Sequence, residues 1–447
     1  MPVARNFAKI KVDMKTFSIF FLLLSAFTLC PVRAQTTDTL TLEVCRELAL
    51  KSNKEIAASA QATENATFTA KSYKGNFFPD FSASGTGLYS TADGSFSMLG
   101  YNMDYKIGPV FSGGVSLQQP VYAGGKIDAA YKLALLGTDI ARKQEILTAT
   151  EVIQKTDEAY ANVVKAMELR KVAEAYNTLL DELLRAVESS RQKGMKPKND
   201  VLKVQVKLNE SELSLRKAEN ALRLAKMNLC HYIGKPLEED IFISSQLPEI
   251  NRLANLQTYD VTARPEYAIL DKQIDAAREE IRLNRSELLP KIGLSASYNY
   301  VHGVEFNDRT LINKGIFTGI LNVSIPIFHF GERKQKVNAA KAKLIQAELE
   351  QQDLNEKMLL ELSQAANNLD EAFLEKEIAE RSLSQAEENM RVSRKQYDAG
   401  MESLSDHLEA QALWQEAYAR TVEAAYDLYL SYIAYKKAEG SLYVGDK

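Results

Sequence analysis

Apolar positions along this chain repeat with two different periods. From residue 332 to 399 there is neither glycine nor proline, and apolar or small residues recur at spacings of three and four. The seam runs Leu344, Ala347, Gln351, Leu354, Met358, Leu362, Ala365, Leu369, Ala372, Lys376, Ala379, Leu383, Ala386, Met390, Ser393 and Tyr397, with Gln351 and Lys376 as polar members. This predicts one unbroken helix about 100 Å long with a narrow coiled-coil seam. Elsewhere the period is two. In "KIGLSASYNY" (291–300), Ile292, Leu294, Ala296, Tyr298 and Tyr300 alternate with Gly293, Ser295, Ser297 and Asn299. That predicts a strand with one apolar face and one small, polar face.

Both patterns occur twice. "FFPDFSASG" (77–85) repeats as "LLPKIGLSA" (288–296) at an offset of 211, and "SLQQPVYAGG" (116–125) as "NVSIPIFHFG" (322–331) at 206. The offset of 206 persists from Gly125 and Gly331 through Gly194 and Gly400 to Gly234 and Gly440. A register held over more than 100 residues marks an internal duplication. Each copy predicts a helix of about 25–35 residues, a strand, a polar loop, a second strand, a very long helix, a turn at Gly-Met and a return helix of about 39 residues. Repeat one spans 35–234, with strands at about 80–91 and 108–119 and the turn at 191–200. Repeat two spans 263–440, with strands at about 291–302 and 315–325 and the turn at 397–406. Residues 235–262 join them, and 441–447 form a tail. Two short helices end to end have the combined length to line one long helix.

The N-terminus alters where these patterns must work. A basic start, the thirteen-residue stretch "FSIFFLLLSAFTL" and the small-residue site Val32-Arg33-Ala34 read as a secretory signal over 1–34. Lipidation of Cys30 is the alternative reading. Cleavage removes five basic residues and one acidic residue and takes the net charge from −4 to about −8, which offers nucleic acid no basic patch. Cys45 and Cys230 remain, too few for a disulfide scaffold. No later segment reaches 18 apolar residues, so only strands could enter a membrane. The strands have nearly membrane-spanning length, with aromatic residues at both ends. Their apolar face carries Ile292, Leu294, Tyr298, Tyr300, Phe111, Val115, Leu117, Phe317, Leu321 and Val323. An open sheet edge cannot stand in lipid. Four strands per chain therefore need partner copies, eight strands for a dimer or twelve for a trimer.

At this point the chain resembles the TolC family of bacterial outer-membrane channel proteins. The likeness rests on "LTLEVCRELALKSNKEI" (40–56), "ARPEY" (263–267) and "YDAGMESLSDHLEAQ" (397–411), set on the duplicated plan. The resemblance implies a mainly helical fold with a transmembrane barrel part, trimeric and twelve-stranded, on a helical barrel crossing the periplasm. It implies a periplasmic adaptor protein and an inner-membrane pump as partners, in efflux or type I secretion. It also implies a belt formed by 235–262. At the tip it implies adaptor docking at Gly194, Met195, Gly400 and Met401, and acidic rings at Asp406 and Glu409. A lock between Tyr397 and Asp200 is implied as well. Glu402 stands where a family arginine is expected, opposite Lys193, Lys196 and Lys198, so the ion pairing there is expected to reverse in sign. The cargo is not legible. A secreted coiled-coil scaffold or a periplasmic adaptor without a pore is the alternative function.

Catalytic chemistry is not indicated. "GGK" at 124–126 lacks the first glycine and the Ser/Thr of a phosphate loop. His231, His302, His329 and His407 have no ligand spacing, and no nucleophile-base pair occurs, so neither metal nor cofactor is expected.

Overall fold

The computed structural model describes residues 39–252, 261–306 and 309–443. The expected signal segment with Cys30, residues 253–260 of the joining segment and residues 444–447 lie outside the described residues.

Two helices of 67 residues each dominate: α3 (Lys126–Gln192) and α6 (Glu332–Asp398). At 1.5 Å per residue each is about 100 Å long. The return helices α4 (Lys198–Tyr232) and α7 (Leu404–Glu439) have 35 and 36 residues, somewhat shorter than the spacing predicted. α2 (Lys54–Gly75) and α4 both lie along α3, while α5 (Pro265–Ser286) and α7 both lie along α6. Every one of the sixteen seam residues of α6 is buried or half-buried. The seam also continues to Val337 and Ala340, which pack on Ile281 of α5.

The first helix of repeat one is not continuous. Asn53 divides α1 (Leu42–Ser52) from α2. Its side-chain oxygen accepts from the Glu55 N–H at 2.8 Å, and its Nδ2 donates to the Tyr232 carbonyl at 3.0 Å. A buried asparagine that caps the next helix satisfies groups an uninterrupted helix would leave it no room to reach.

Three of the four predicted strands are longer than their alternating stretches. β1 (Asp80–Leu88) ends three residues early, but β2 (Ala92–Met98) follows it, and β3 (Tyr101–Tyr122) has 22 residues rather than about 12. β2 pairs with the first third of β3 through a two-residue turn at Leu99 and Gly100, both at positive φ. The turn matches the twist of a hairpin, so pairing continues where apolar alternation has stopped. β4 (Lys291–Phe306) and β5 (Arg309–Ser324) have 16 residues each. The sheet order is β1-β3-β4-β5, with β2 sharing β3, and every pairing is antiparallel. β3 against β4 joins the two repeats, leaving β1 and β5 at the edges.

Both repeats enter their long helix through a left-handed pair, Gly124-Gly125 in one and Phe330-Gly331 in the other. A Cβ at 124 would come within 2.7 Å of the Ser286 carbonyl. At the equivalent place Phe330 holds φ 44° and is 93% exposed, so it bears strain of about 1–2 kcal/mol in open space.

The joining segment is packed where it is described. Leu40 pairs in parallel with Ile243, and the Leu40 N–H donates to the Phe242 carbonyl at 2.8 Å. Ile241 and Ile243 sit in a core with Leu42, Tyr160, Leu229 and Ile433. Beside it, Arg46 of α1 grips Asp157 of α3 with two hydrogen bonds of 2.7 and 2.5 Å.

Candidate functional site: the helical tip and the strand face

The ends of α3 and α6 farthest from the strands reverse in the same way. The Gly194 N–H donates to Arg191 and the Met195 N–H to Ser190, while Gly400 donates to Tyr397 and Met401 to Gln396. These paired bonds close a helix on a left-handed residue, which glycine adopts without cost. Gly194 has φ 75° and Gly400 φ 72°. Met195 and Met401, next in line, project into solvent. On the far side of the second turn, the Ser403 hydroxyl accepts from the Asp406 N–H and donates to the Asp406 carboxylate at 2.8 Å. That N-cap starts α7.

Behind the turns α3, α4 and α7 share one core, built from Tyr176, Leu180, Leu183, Val187, Val201, Val204, Leu404, Leu408 and Trp414, with Leu383, Met390 and Tyr397 of α6 packed against it. Asp406 and Glu409 remain exposed on α7, and Asp200 is half-buried on α4. Between α4 and α7 runs a groove of about 610 Å³, lined by Leu202, Val206 and Leu408 and rimmed by Lys203, Lys207 and Glu409.

Tyr397 lies flat on the His407 ring, with centroids 4.9 Å apart, and Lys196 Nζ lies over Tyr397 at 4.6 Å. Burial raises the Tyr397 phenol above its usual pKa, with Asp200 and Asp398 adding to the effect. Among the described residues no hydrogen bond joins Tyr397 to Asp200; aromatic and cation–π contacts hold the ring. Nor does Glu402 meet Lys193, Lys196 or Lys198 within the chain. It turns inward and accepts from the Ser393 hydroxyl at 3.0 Å. The first turn therefore meets the second repeat through Lys196 on an aromatic ring, and not through a Glu402–lysine pair.

His407 had no ligand spacing to single it out, yet it is only 4% exposed. The signal that marks it is Leu404, His407, Gln411 and Trp414, again spaced by three and four, which puts the imidazole on the core face of α7.

In the sheet, directly opposite residues share a face. Register aligns Val115, Tyr298 and Phe317 in one row, and Leu294 with Leu321 and Ile292 with Val323 in others. Leu117 stands opposite Ala296, Tyr300 opposite Gly113 and Gly315, and Phe111 opposite His302, all on that same face. The other face carries the row Ser82, Ser116, Ser297 and Thr318, with Ser82 and Ser116 hydrogen-bonded at 2.8 Å. Ile316 and Ile320 interrupt its polarity.

Among the described residues no group of acidic, histidine or cysteine side chains could hold a metal ion. Nor is any described helix long and apolar enough to cross a membrane.

Known proteins share this architecture. The outer membrane channel CmeC of Campylobacter jejuni superposes with a TM-score of 0.76 at 20% identity, covering 91% of this chain and 87% of that one. In sequence, the chain is similar to the alkaline protease secretion protein AprF of Pseudomonas aeruginosa, 24% identical over 324 residues and 70% of this chain. It is 25% identical over 326 residues, 71% of this chain, to the pyoverdine export outer membrane protein OpmQ of the same organism. These matches span 66% and 65% of the relatives' own lengths. The family described as outer membrane efflux protein matches residues 45–235 and 263–441, nearly all of both repeats. With the duplication, the long coiled coils and the four-stranded plan in place, this chain belongs to the outer membrane efflux protein family.

Proposed function

We propose that three copies of this chain form an outer-membrane channel that receives substrates from a periplasmic adaptor and an inner-membrane pump and releases them outside the cell. The observation that carries this reading is the sheet: apolar on one face, small and polar on most of the other, with β1 and β5 unpaired at its edges. Unpaired backbone groups cannot face lipid, so β5 of one copy must pair with β1 of the next. Four strand positions per chain close a twelve-stranded barrel in a trimer. The Val115–Tyr298–Phe317 face then meets lipid, and the Ser116–Ser297 face lines the lumen.

The helices support the same assembly. Leu213 and Leu224 are exposed on one line of α4 beyond the groove between α4 and α7, and Ile345, Leu349, Leu360, Leu374 and Ile378 are exposed on α6. Such stripes are covered when protomers pack side by side into a helical barrel about 100 Å long. The joining segment, held on the outside by Leu40 and Ile243, forms the belt. The tip closes the entrance: Asp406 and Glu409 each supply a ring of three carboxylates, which favours cations. Met195 and Met401, with the groove between α4 and α7, receive the adaptor. AprF and OpmQ are named for protease secretion and pyoverdine export, and we infer an export role of this kind here.

Light scattering of the detergent-purified protein tests the assembly. A mass of three chains is expected, with the detergent belt subtracted; a monomer or dimer of stable mass contradicts the barrel.

A further inference from the structure

The buried imidazole of His407 belongs to a hydrogen-bonded chain that neither conduction nor adaptor docking requires. Gln411 Nε2 lies 3.0 Å from His407 Nε2. An amide nitrogen only donates, so Nε2 accepts and the ring proton is on Nδ1. That proton is donated to Ser393 Oγ at 2.9 Å, and Ser393 passes its own to Glu402 Oε1 at 3.0 Å. The run Gln411–His407–Ser393–Glu402 thus ties α7 to α6 across the tip. With the Gln411 amide as it lies, the run closes on a neutral imidazole. A second proton on Nε2 faces an amide NH₂, donor against donor. Gln411 Oε1, buried and without a hydrogen-bond partner, would have to turn toward it.

We propose that His407 is a proton-operated latch: neutral, it binds α7 to α6 and keeps the tip packed; protonated, it loses the present Gln411 hydrogen bond, forces the buried amide to turn and loosens the tip. The effect on conduction rests on the reading of the tip as the closed entrance. The surroundings set the direction. Burial is the leading influence and lowers the His407 pKa below its usual 6.5; Glu402 and Asp398 oppose it, and Arg394 adds to it. The first turn of α7, with the positive end of its dipole, also disfavours a cation. From the other elements, Tyr397 stacks on the ring and brings Lys196 over its own face. Glu182 of α3 and Arg391 of α6 line the cavity of about 260 Å³ that His407 and Gln411 share. Asp200 of α4 reaches the array through Tyr397. Because the packed tip depresses the pKa, it holds fewer protons than the loosened tip, and its stability falls as pH drops through 6.5 toward the lowered value.

The chain contains one tryptophan, and Trp414 lies in the tip core. Its emission therefore reports tip packing in the intact trimer, whatever the tip does to conduction. On titration from about pH 7.5 to about pH 5, emission should shift to the red with a midpoint below 6.5. The transition should vanish in His407→Gln. In Gln411→Glu a carboxylate beside Nε2 favours the charged ring, so the midpoint should rise by about one unit or more. That second variant decides the matter if His407→Gln does not assemble. An unchanged transition in His407→Gln, an unmoved midpoint in Gln411→Glu, or no transition in the wild type overturns the latch. Conductance recorded alongside should rise in acid for the wild type and for Gln411→Glu, and not for His407→Gln. A red shift without that rise leaves the latch standing and removes the gate from the tip.

Discussion

Arginine in place of Val115 leaves the chain unable to accumulate as a membrane trimer. Val115 is 58% exposed and lies near the middle of the β1–β3 pairing, in the row with Tyr298 and Phe317. An arginine on the lipid face costs about 2–4 kcal/mol near the midplane. Three copies raise that to roughly 6–12 kcal/mol per assembly, enough to empty the inserted state. Leu294→Arg, nearer the strand end, should follow the same direction with a smaller loss, since the cost falls toward the interface. Ser116→Arg puts the same side chain on the opposite face, beside Ser82 and Ser297, and should be mild. Quantifying heat-resistant trimer in the membrane fraction separates the three. Wild-type levels of Val115→Arg would mean that this face does not meet lipid.

Removing Arg46 should be the most damaging change away from the strands. Asp157 has no solvent exposure, and Arg46 supplies both of its ion-pair hydrogen bonds. Arg46→Leu leaves a carboxylate buried beside Tyr160 and Tyr429 without its cation. Breaking a buried pair from one side costs about 3–5 kcal/mol, whereas replacing both partners with apolar residues is often close to neutral. Denaturant unfolding should therefore show a large loss for Arg46→Leu and recovery of most of it in Arg46→Leu with Asp157→Leu. Equal stability of the wild type and Arg46→Leu would show that α1 is not anchored through this pair.

These two sites differ in how far the sequence reveals them. Val115 belongs to a period-two run written twice, and Met358, Leu362, Ala365 and Leu369 belong to a three-and-four run without interruption. Local periodicity of that kind decides element type and face together. The family's overall plan was therefore legible before any contact was known. Arg46 and Asp157 are 111 residues apart, with nothing periodic between them to suggest that they meet. Strand ends depart from the alternating stretches for a related reason. Tyr101–Lys106 are held by hairpin pairing to β2, and hydrogen bonding between backbones leaves no side-chain pattern to read. The break at Asn53 inside the first predicted helix leaves no periodic mark, because its burial depends on the carbonyl of Tyr232, far along the chain. At the tip, the glycine turns and the acidic residues of α7 were visible as residues, but not their contacts. Tyr397 stacks on His407, and Glu402 faces Ser393, because both seams converge there.

The central claim is that this trimer conducts and that its tip closes it. Single-channel recording of the purified trimer in a planar lipid bilayer, compared with Tyr397→Ala and Lys196→Ala, tests this most directly. Tyr397→Ala removes the ring that His407 and Lys196 share, so the packing between the two repeats is lost at the tip. Lys196→Ala removes the cation that the first turn lays over that ring. The account predicts small, cation-preferring steps for the wild type and conductance at least several-fold larger for both variants. Absence of any steps from correctly assembled trimer, or equal conductance in all three proteins, would contradict it.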